Sequence, residues 1–196
     1  EWLNAIIKKP SSKHNRLVTG GKDHFLPHLT KAINEASEID MAVAFIKATG
    51  LKLIMDDLHS AITRGYSESI EDIAHLKESA RLRVITSDYL DVTDPQALRQ
   101  LLVLRDRGAQ VKIYESSEKS FHMKAYIFNK KRGDGGIEGK AFIGSSNLSA
   151  MALRDGLEWN YRIDYPADSG FIEARNRFEE LFSNNSAVNL TDDWID

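Results

Sequence analysis

The chain has 196 residues, of which 42% are hydrophobic and 28% charged, and its formal net charge is -3 at pH 7. This length predicts one globular domain with a substantial core, and the slightly acidic balance excludes a uniformly basic nucleic-acid binder. Cysteine is absent, which excludes disulfides, thiolate metal ligands and cysteine nucleophiles. With no long apolar run and no signal peptide at Glu1, we expect a cytoplasmic fragment of a longer protein.

Helix and strand signals alternate along the chain. Some segments carry apolar residues at helical spacing, and the short apolar or alternating runs between them are typical of strands. The predicted helices cover residues 23–36, 51–63, 93–108 and 169–182. The predicted strands cover residues 39–46, 81–86, 111–114, 121–128, 140–144 and 157–165. This order predicts one α/β domain over residues 1–196, with a mixed, mostly parallel sheet flanked by helices on both faces.

The stretch FHMKAY, residues 121–126, places two polar residues in a run that otherwise indicates a buried strand. Alternate residues of a strand share a face, so His122 and Lys124 lie side by side, together with Tyr126 and Phe128. Taken alone, the two polar residues are explained better by an edge strand whose outer face is solvated.

The segment FIGSSNLS, residues 142–149, is an apolar strand that ends in a polar turn. Gly144 permits close backbone approach, and Ser145 and Asn147 offer hydrogen-bond donors, so the turn can cradle a phosphate. Ser and Asn are also frequent in ordinary turns and helix caps, which is the commoner explanation. Glu158 follows in LEWNYRI between apolar neighbours, where a buried carboxylate needs a partner such as histidine.

Basic residues are concentrated in the glycine-containing stretch between strands 121–128 and 140–144. Lys130, Lys131 and Arg132 lie there consecutively, in a segment that predicts a hairpin loop. Such a run is commonly a solvated hairpin tip, and it can equally face an anionic ligand such as DNA.

Three blocks of the sequence combine into a known pattern. They are His122-x-Lys124, Gly144-Ser145-x-Asn147 and Glu158. The pattern resembles the HKD signature of the phospholipase D superfamily of phosphodiesterases and nucleases. Longer stretches, among them VTGGKDHFLPHL, VAFIKATGLKLI and IGSSNLSAMALRDGLEWNYRI, are similar to the phospholipase D-like domain at the N-terminus of many bacterial superfamily 2 helicases of the DEAD/DEAH type. The resemblance covers residues 17–165.

The resemblance implies a phospholipase D/nuclease-like fold and a phosphodiesterase of nuclease type that acts on DNA. A neutral His122 would attack phosphorus and form a phosphohistidine, while Lys124 and Asn147 stabilise charge on the phosphoryl oxygens and Glu158 orients the imidazole. Contacts with the substrate are expected from Gly144, Ser145, Lys130, Lys131 and Arg132.

Such chemistry needs neither a metal nor a cofactor, and we predict none. His24 and His28 have the spacing of metal ligands on a helix, but the sequence supplies no third ligand beside them. The chain departs from the signature at Asn129, which stands five residues after Lys124, where the family has an aspartate. A structural role of that aspartate would make the replacement a modest change.

The stoichiometry of the signature has consequences for assembly. Enzymes of the family use two histidines, one as nucleophile and one as general acid, whereas this sequence holds one copy of the motif. The resemblance therefore implies a homodimer that pairs two His122 sites, and a helicase domain elsewhere in the full-length chain. We expect no membrane partner, because no basic amphipathic helix is evident. The alternative is a catalytically silent DNA-binding or dimerisation module that serves an attached helicase.

Overall fold

The computed structural model of the protein describes residues 16–65, 78–88, 93–116 and 120–195. The strands are β1 (Leu17–Val18), β2 (Glu38–Val43), β3 (Arg81–Ser87), β4 (Gln110–Tyr114), β5 (Lys124–Lys131), β6 (Ile137–Gly144), β7 (Asn160–Tyr165) and β8 (Ala187–Asn189). The helices are α1 (Phe25–Glu35), α2 (Ala48–Thr63), α3 (Pro95–Arg105), α4 (Gly170–Phe182) and α5 (Asp192–Ile195), with a π-helical turn at Met151–Asp155. All the predicted elements are present, and the short β1, β8 and α5 are additions.

The described strands form one mixed sheet in the order β1-β7-β6-β5-β2-β3-β4-β8. The prediction of a mixed sheet is confirmed, but the expectation that it is mostly parallel is wrong. In the described part of the chain, β2–β3 and β3–β4 are parallel pairs, whereas five neighbouring pairs are antiparallel. β5 and β6 are antiparallel because the five residues that join them, 132–136, are too few for a crossover between parallel strands.

Helices cover both faces of the sheet, as the sequence predicts. On one face, Leu29 of α1 and Leu101 of α3 lie in a buried cluster with Tyr126 of β5. On the other face, Phe178 of α4 packs in a second cluster with Ile127. Neighbouring residues of β5 therefore enter opposite cores, as the alternation of a strand requires.

β5 lies between β2 and β6 in the interior of the sheet, so the edge-strand explanation of FHMKAY is wrong. The strand begins at Lys124 because its partner β2 ends at Val43, which lies opposite Lys124. His122 precedes the strand, at the edge of the sheet where β2 ends and β6 also ends, at Gly144. The start of β5 and the turn after β6, which both carry polar side chains, thus meet at one edge beside the end of β2.

The third helix illustrates how local sequence sets the element boundaries. The Asp94 side chain accepts a hydrogen bond from the Gln96 backbone N–H at 2.9 Å and caps α3, and Pro95 occupies its first turn. Gly108 has a φ of 102°, which permits the tight turn into β4. Within the described ranges, no helix is both long and apolar enough to cross a lipid bilayer.

Candidate active site

His122 and Lys124 contact each other at the start of β5. The Lys124 ammonium Nζ lies 2.8 Å from Nδ1 and 3.1 Å from Nε2 of the His122 ring, and it donates to the His122 carbonyl at 3.0 Å. Lys124 is buried, with 6% of its surface exposed, whereas His122 is exposed. The pair therefore combines an accessible imidazole with a cation fixed beside it.

Phe45, just beyond the end of β2, supports both members of the pair. Its ring meets the His122 ring edge to face, with centroids 5.4 Å apart and an interplanar angle of 75°. The Lys124 ammonium lies over the same ring at 5.5 Å from the centroid, a cation–π contact. The sequence analysis missed this residue because a phenylalanine in VAFI is indistinguishable from a core residue.

The turn after β6 approaches the cleft closely because it begins with glycine. A Cβ atom at Gly144 would lie 1.9 Å from the Trp159 carbonyl oxygen, so no larger residue fits without displacing the backbone. The Ser145 N–H donates to the same carbonyl at 3.0 Å, and the Trp159 N–H donates to Ser145 Oγ at 3.1 Å. The segment that carries Trp159 therefore holds the turn on one side.

Buried polar groups hold the turn from below. Ser146 is fully buried, its carbonyl accepts from the Tyr126 hydroxyl at 2.9 Å, and its Oγ accepts from Asn160 Nδ2 at 2.7 Å. Burial raises the pKa of Tyr126 far above its ordinary value, so the hydroxyl stays protonated and can donate. The sequence analysis did not identify Asn160 as a supporting residue, although it lies two positions after Glu158.

The polar turn is also joined to β2. The Leu148 N–H donates to the Phe45 carbonyl at 3.1 Å, and the Lys47 N–H donates to the Leu148 carbonyl at 2.9 Å. The backbone of the segment that supplies Asn147 is therefore fixed to the residue whose ring supports His122.

Five of the predicted site residues converge on one open cleft of about 290 Å³. Its lining consists of His122, Lys124, Gly144, Ser145 and Asn147. A second, mostly apolar groove of about 560 Å³ shares His122, Lys124 and Gly144 with it and extends along α4. A phosphate in the first cleft would reach an imidazole, an ammonium and the polar turn together.

Glu158 lies near the cleft, but not as the sequence predicts. β7 begins only at Asn160, and Leu157 and Trp159 are 85% and 66% exposed, so Glu158 is not a buried strand residue. Its carboxylate accepts a short hydrogen bond from Ser145 Oγ. In the described structure no hydrogen bond joins it to His122. The contact seen here orients the serine rather than the imidazole.

Electrostatics distinguish the lysine of the pair. Burial lowers the pKa of Lys124 below its ordinary value, and the nearby Glu158 carboxylate opposes this by favouring the charged form. Among the described residues, no group of three or more His, Cys, Asp or Glu side chains is arranged to hold a metal ion.

The three consecutive basic residues are not part of this cleft. Lys130 and Lys131 end β5, and Arg132 follows, so they lie about 20 Å from its start at a rise of 3.3 Å per residue. Lys131 pairs with Glu78 at 3.1 Å and Arg132 with Asp134 at 2.7 Å. The structure brings together the HKD-like residues and separates them from the basic hairpin tip.

Asn129, the residue at the signature's aspartate position, is buried beneath α4. Its Nδ2 donates to the Glu38 carboxylate at 3.0 Å, and the same carboxylate pairs with Arg81 at 3.2 Å and Arg175 at 3.3 Å. Burial raises the pKa of Glu38, but the Asn129 hydrogen bond and the Arg81 charge together outweigh burial, so the pKa is lowered. Asn129 thus supplies a donor to an acidic neighbour, which an aspartate could not do.

The chain is similar in fold to several solved structures. NucT from Helicobacter pylori matches with a TM-score of 0.56 and 16% identity over 84% of this chain and 89% of its own. Nuc from Salmonella typhimurium, described as a phospholipase D family member, matches with a TM-score of 0.58 and 14% identity over 83% and 88%. A polyphosphate kinase from Porphyromonas gingivalis matches with a TM-score of 0.56 and 15% identity over 91% of this chain and 28% of its own.

Sequence comparison gives the family. No curated protein matches the chain significantly. At the identities given above, the solved structures establish a shared fold and nothing finer. The family model described as "Cardiolipin synthase, PLD-like domain" matches residues 29–184, which is most of the chain and includes the whole cleft. The chain therefore belongs to the PLD-like domain family, within the phospholipase D superfamily.

Proposed function

We propose that the domain is a metal-independent phosphodiesterase of nuclease type that cleaves DNA through a phosphohistidine at His122. The observation that carries the proposal is the convergence of His122, Lys124, Ser145 and Asn147 on one open cleft. Membership of the PLD-like domain family supports phosphodiester chemistry at that cleft. The mixed sheet supports it by supplying the three residue blocks from neighbouring strands.

The reaction would proceed in two displacements. In the first, the neutral imidazole of His122 forms an N–P bond while the bond from phosphorus to the leaving oxygen breaks. In the second, water attacks phosphorus, the N–P bond breaks, and the imidazole is released. Lys124 and Asn147 donate to the phosphoryl oxygens, where negative charge increases in each transition state. Glu158 acts through Ser145, whose hydroxyl it orients.

The leaving oxygen needs an acid, and we propose that His122 of a second copy donates this proton. In the second displacement the same imidazole takes a proton from the attacking water. Met123 and Ile143 are 41% and 42% exposed, and Met123 directly follows His122. Exposed apolar side chains beside an incomplete site support contact with a second copy there.

We also propose that this domain serves a helicase in the same full-length chain and acts on DNA in the cytoplasm. The support is the similarity of stretches such as VTGGKDHFLPHL and IGSSNLSAMALRDGLEWNYRI to helicase-linked domains. Association of the purified domain with DNA but without turnover would favour the alternative, a catalytically silent module.

The primary test measures hydrolysis of methyl p-nitrophenyl phosphate and of labelled DNA in excess EDTA. Wild type, His122→Ala and the control His24→Ala are compared, because His24, which directly precedes α1, is exposed and lines neither the cleft nor the apolar groove. We expect metal-free turnover that is lost only in His122→Ala, with a phosphorylated histidine trapped by quenching in alkaline denaturant, in which the acid-labile N–P bond survives. Equal inactivity of folded wild type and His122→Ala would exclude the catalytic proposal.

A mixing experiment tests the dimer. If each active unit needs two His122 residues, adding an equal amount of His122→Ala chain and allowing exchange would halve the activity per wild-type chain. His24→Ala chain, which we expect to be active itself, would leave the activity per total chain unchanged when added in the same way. If the activity per wild-type chain does not change when the His122→Ala chain is added, one copy of the domain suffices for catalysis.

A further inference from the structure

Two aromatic side chains at the start of β7 are exposed beside the cleft. Trp159 is 66% exposed and Tyr161 46% exposed. Tryptophan is on average a highly buried residue, so an exposed indole is unusual. In the described structure, neither ring stacks on another aromatic ring or on a cation.

The two rings lie on one face of the sheet and follow the strand. Residues two positions apart in extended backbone share a face and are about 6.6 Å apart. Tyr161 pairs with Ile143 of β6, and on the same face Ile163 and Tyr165 pack against the cluster that contains α4. The helix therefore covers one end of β7 and leaves the end nearest the cleft uncovered.

The backbone that carries the rings is fixed to the cleft. The N–H and C=O of Trp159 both bond to Ser145, at 3.1 and 3.0 Å, and Gly144 lies against the same carbonyl. On the outer side, Tyr161 pairs with Leu17 of β1, and the Tyr161 hydroxyl, through its hydrogen bond, raises the pKa of Arg16. The aromatic face is thus held at a set distance from the residues that line the cleft.

We propose that Trp159 and Tyr161 are a stacking platform for two successive unpaired nucleobases, so that the preferred substrate is single-stranded nucleic acid. Exposed aromatic residues on a sheet bind single strands by stacking on base faces. Those faces are hidden inside a duplex, and only an unpaired strand can present them while its phosphate lies in the cleft. This inference rests on the proposed function, because it identifies the substrate of the same site.

Aromatic chemistry and placement favour a nucleic acid over a second protein copy as the occupant. The rings lie one and three positions beyond Glu158, on the strand that holds the turn proposed to bind phosphate. β6 separates β7 from β5, so the backbone at the start of β7 lies about 10 Å from the backbone at the start of β5, at 4.8 Å per strand. A neighbouring nucleotide spans such a distance.

The test measures fluorescence of Trp159 in a chain that carries Trp2→Phe, Trp194→Phe and His122→Ala, so that binding is observed without cleavage. The probes are a dT oligonucleotide, a blunt duplex of equal length and an abasic oligonucleotide of equal length. We expect quenching by the single strand, with a Kd at least 10-fold lower than for the duplex, and little quenching by the abasic strand.

Substitutions give an independent measurement of affinity. In a chain that carries His122→Ala and is otherwise unaltered, so that the probe is not cleaved, Trp159→Ala should raise the Kd for labelled dT by about 5- to 150-fold, the cost of losing one stacked base. Trp159→Phe should restore part of the affinity. The slope of log Kd against log salt should stay unchanged, because no phosphate contact is lost. Val103→Ala, at a 49% exposed apolar residue of α3, is the control and should have no effect.

Three outcomes would overturn the inference: no quenching by dT, equal quenching by the abasic strand, or a spectral shift that depends on protein concentration alone. The last would show that a second copy covers Trp159. The proposed function fails separately. If wild type hydrolyses no phosphodiester while dT still quenches Trp159, the catalytic proposal is wrong and the platform is present.

Discussion

The ring of Phe45 contacts both groups that we propose for chemistry, His122 and Lys124. It is partly buried at the end of β2, and its carbonyl also binds Leu148. A phenylalanine at this place does more than fill space, because it restricts the orientation of the imidazole and attracts the ammonium.

We predict that Phe45→Leu lowers kcat for methyl p-nitrophenyl phosphate by about 10- to 100-fold, because small misplacement of reacting groups is costly. Steady-state kinetics would measure it, with Phe128→Leu as control. Phe128 is a core residue of β5 far from the cleft, so its loss should affect the unfolding free energy rather than kcat. Equal kcat in wild type and Phe45→Leu would show that the ring is only packing.

The charge of Lys124 predicts a pH dependence. The protonated ammonium stabilises the phosphoryl oxygens, so activity should fall as pH rises through the pKa of Lys124. Burial lowers that pKa below the ordinary 10.5, and Glu158 raises it. Removing the carboxylate in Glu158→Gln should therefore lower the pKa further and move the alkaline limb to lower pH.

The pH–kcat profile of the two proteins measures this shift. Glu138→Gln is the control, since it changes the net charge equally at an exposed site on the far end of β6. An alkaline limb that moves to higher pH in Glu158→Gln, or that does not move, would contradict the role given to the carboxylate.

At the scale of single elements, β5 begins at the cleft and carries a buried polar cluster in its C-terminal half. Asn129 donates to Glu38, which also binds Arg81 of β3 and Arg175 of α4. The amide therefore helps to connect α4 to the sheet. The family signature's aspartate would put a second carboxylate against Glu38.

We predict that Asn129→Asp destabilises the fold by about 1–3 kcal/mol at pH 7, because a hydrogen bond to a charged group is replaced by two adjacent carboxylates. The loss of stability should become smaller as pH falls towards 5, because the new carboxylate and that of Glu38 can then share a proton. Urea unfolding at both pH values would measure it. Glu38→Gln combined with Asn129→Asp should recover much of the stability, and a double variant no more stable than Asn129→Asp would refute the explanation.

Periodicity in the sequence predicts the elements well because apolar spacing reflects burial against the sheet. The residues of the cleft are predicted on a different basis, namely the resemblance of three short blocks of sequence to a known signature. The prediction that Glu158 lies in a buried strand is wrong, because its apolar neighbours Leu157 and Trp159 are exposed. Sequence alone does not distinguish apolar residues of the core from apolar residues of the surface. Strand direction is equally hidden, because pairing partners distant along the chain decide it.

At the scale of the whole molecule, the cleft and the basic tip of the β5–β6 hairpin lie at opposite ends of β5. Seven residue steps along β5 correspond to about 23 Å, which is about seven base pairs of duplex at 3.4 Å each. A short substrate in the cleft does not reach Lys130, Lys131 and Arg132. A long one does, if its path follows the sheet.

We therefore predict that replacing all three basic residues by alanine leaves hydrolysis of methyl p-nitrophenyl phosphate unchanged. For a 30-nucleotide single-stranded DNA, the slope of log K against log salt should fall by about 2, since each phosphate contact of a single strand contributes about 0.7. A chain with alanine at the exposed Lys31, Lys52 and Arg99 controls for net charge. Equal slopes in the two triple variants would show that the tip is merely solvated.

The β5–β6 hairpin also affects how relatives of this chain can be recognised. Its strands pair continuously from Ala125 opposite Ile143, beside the cleft, to Lys131 opposite Ile137, at the far end. Adding one residue to each strand extends only the far end and leaves every distance at the cleft unchanged. A search pattern that fixes the number of residues between Lys124 and Gly144 would miss proteins with the same site, whereas one that fixes only the two flanking blocks would find them.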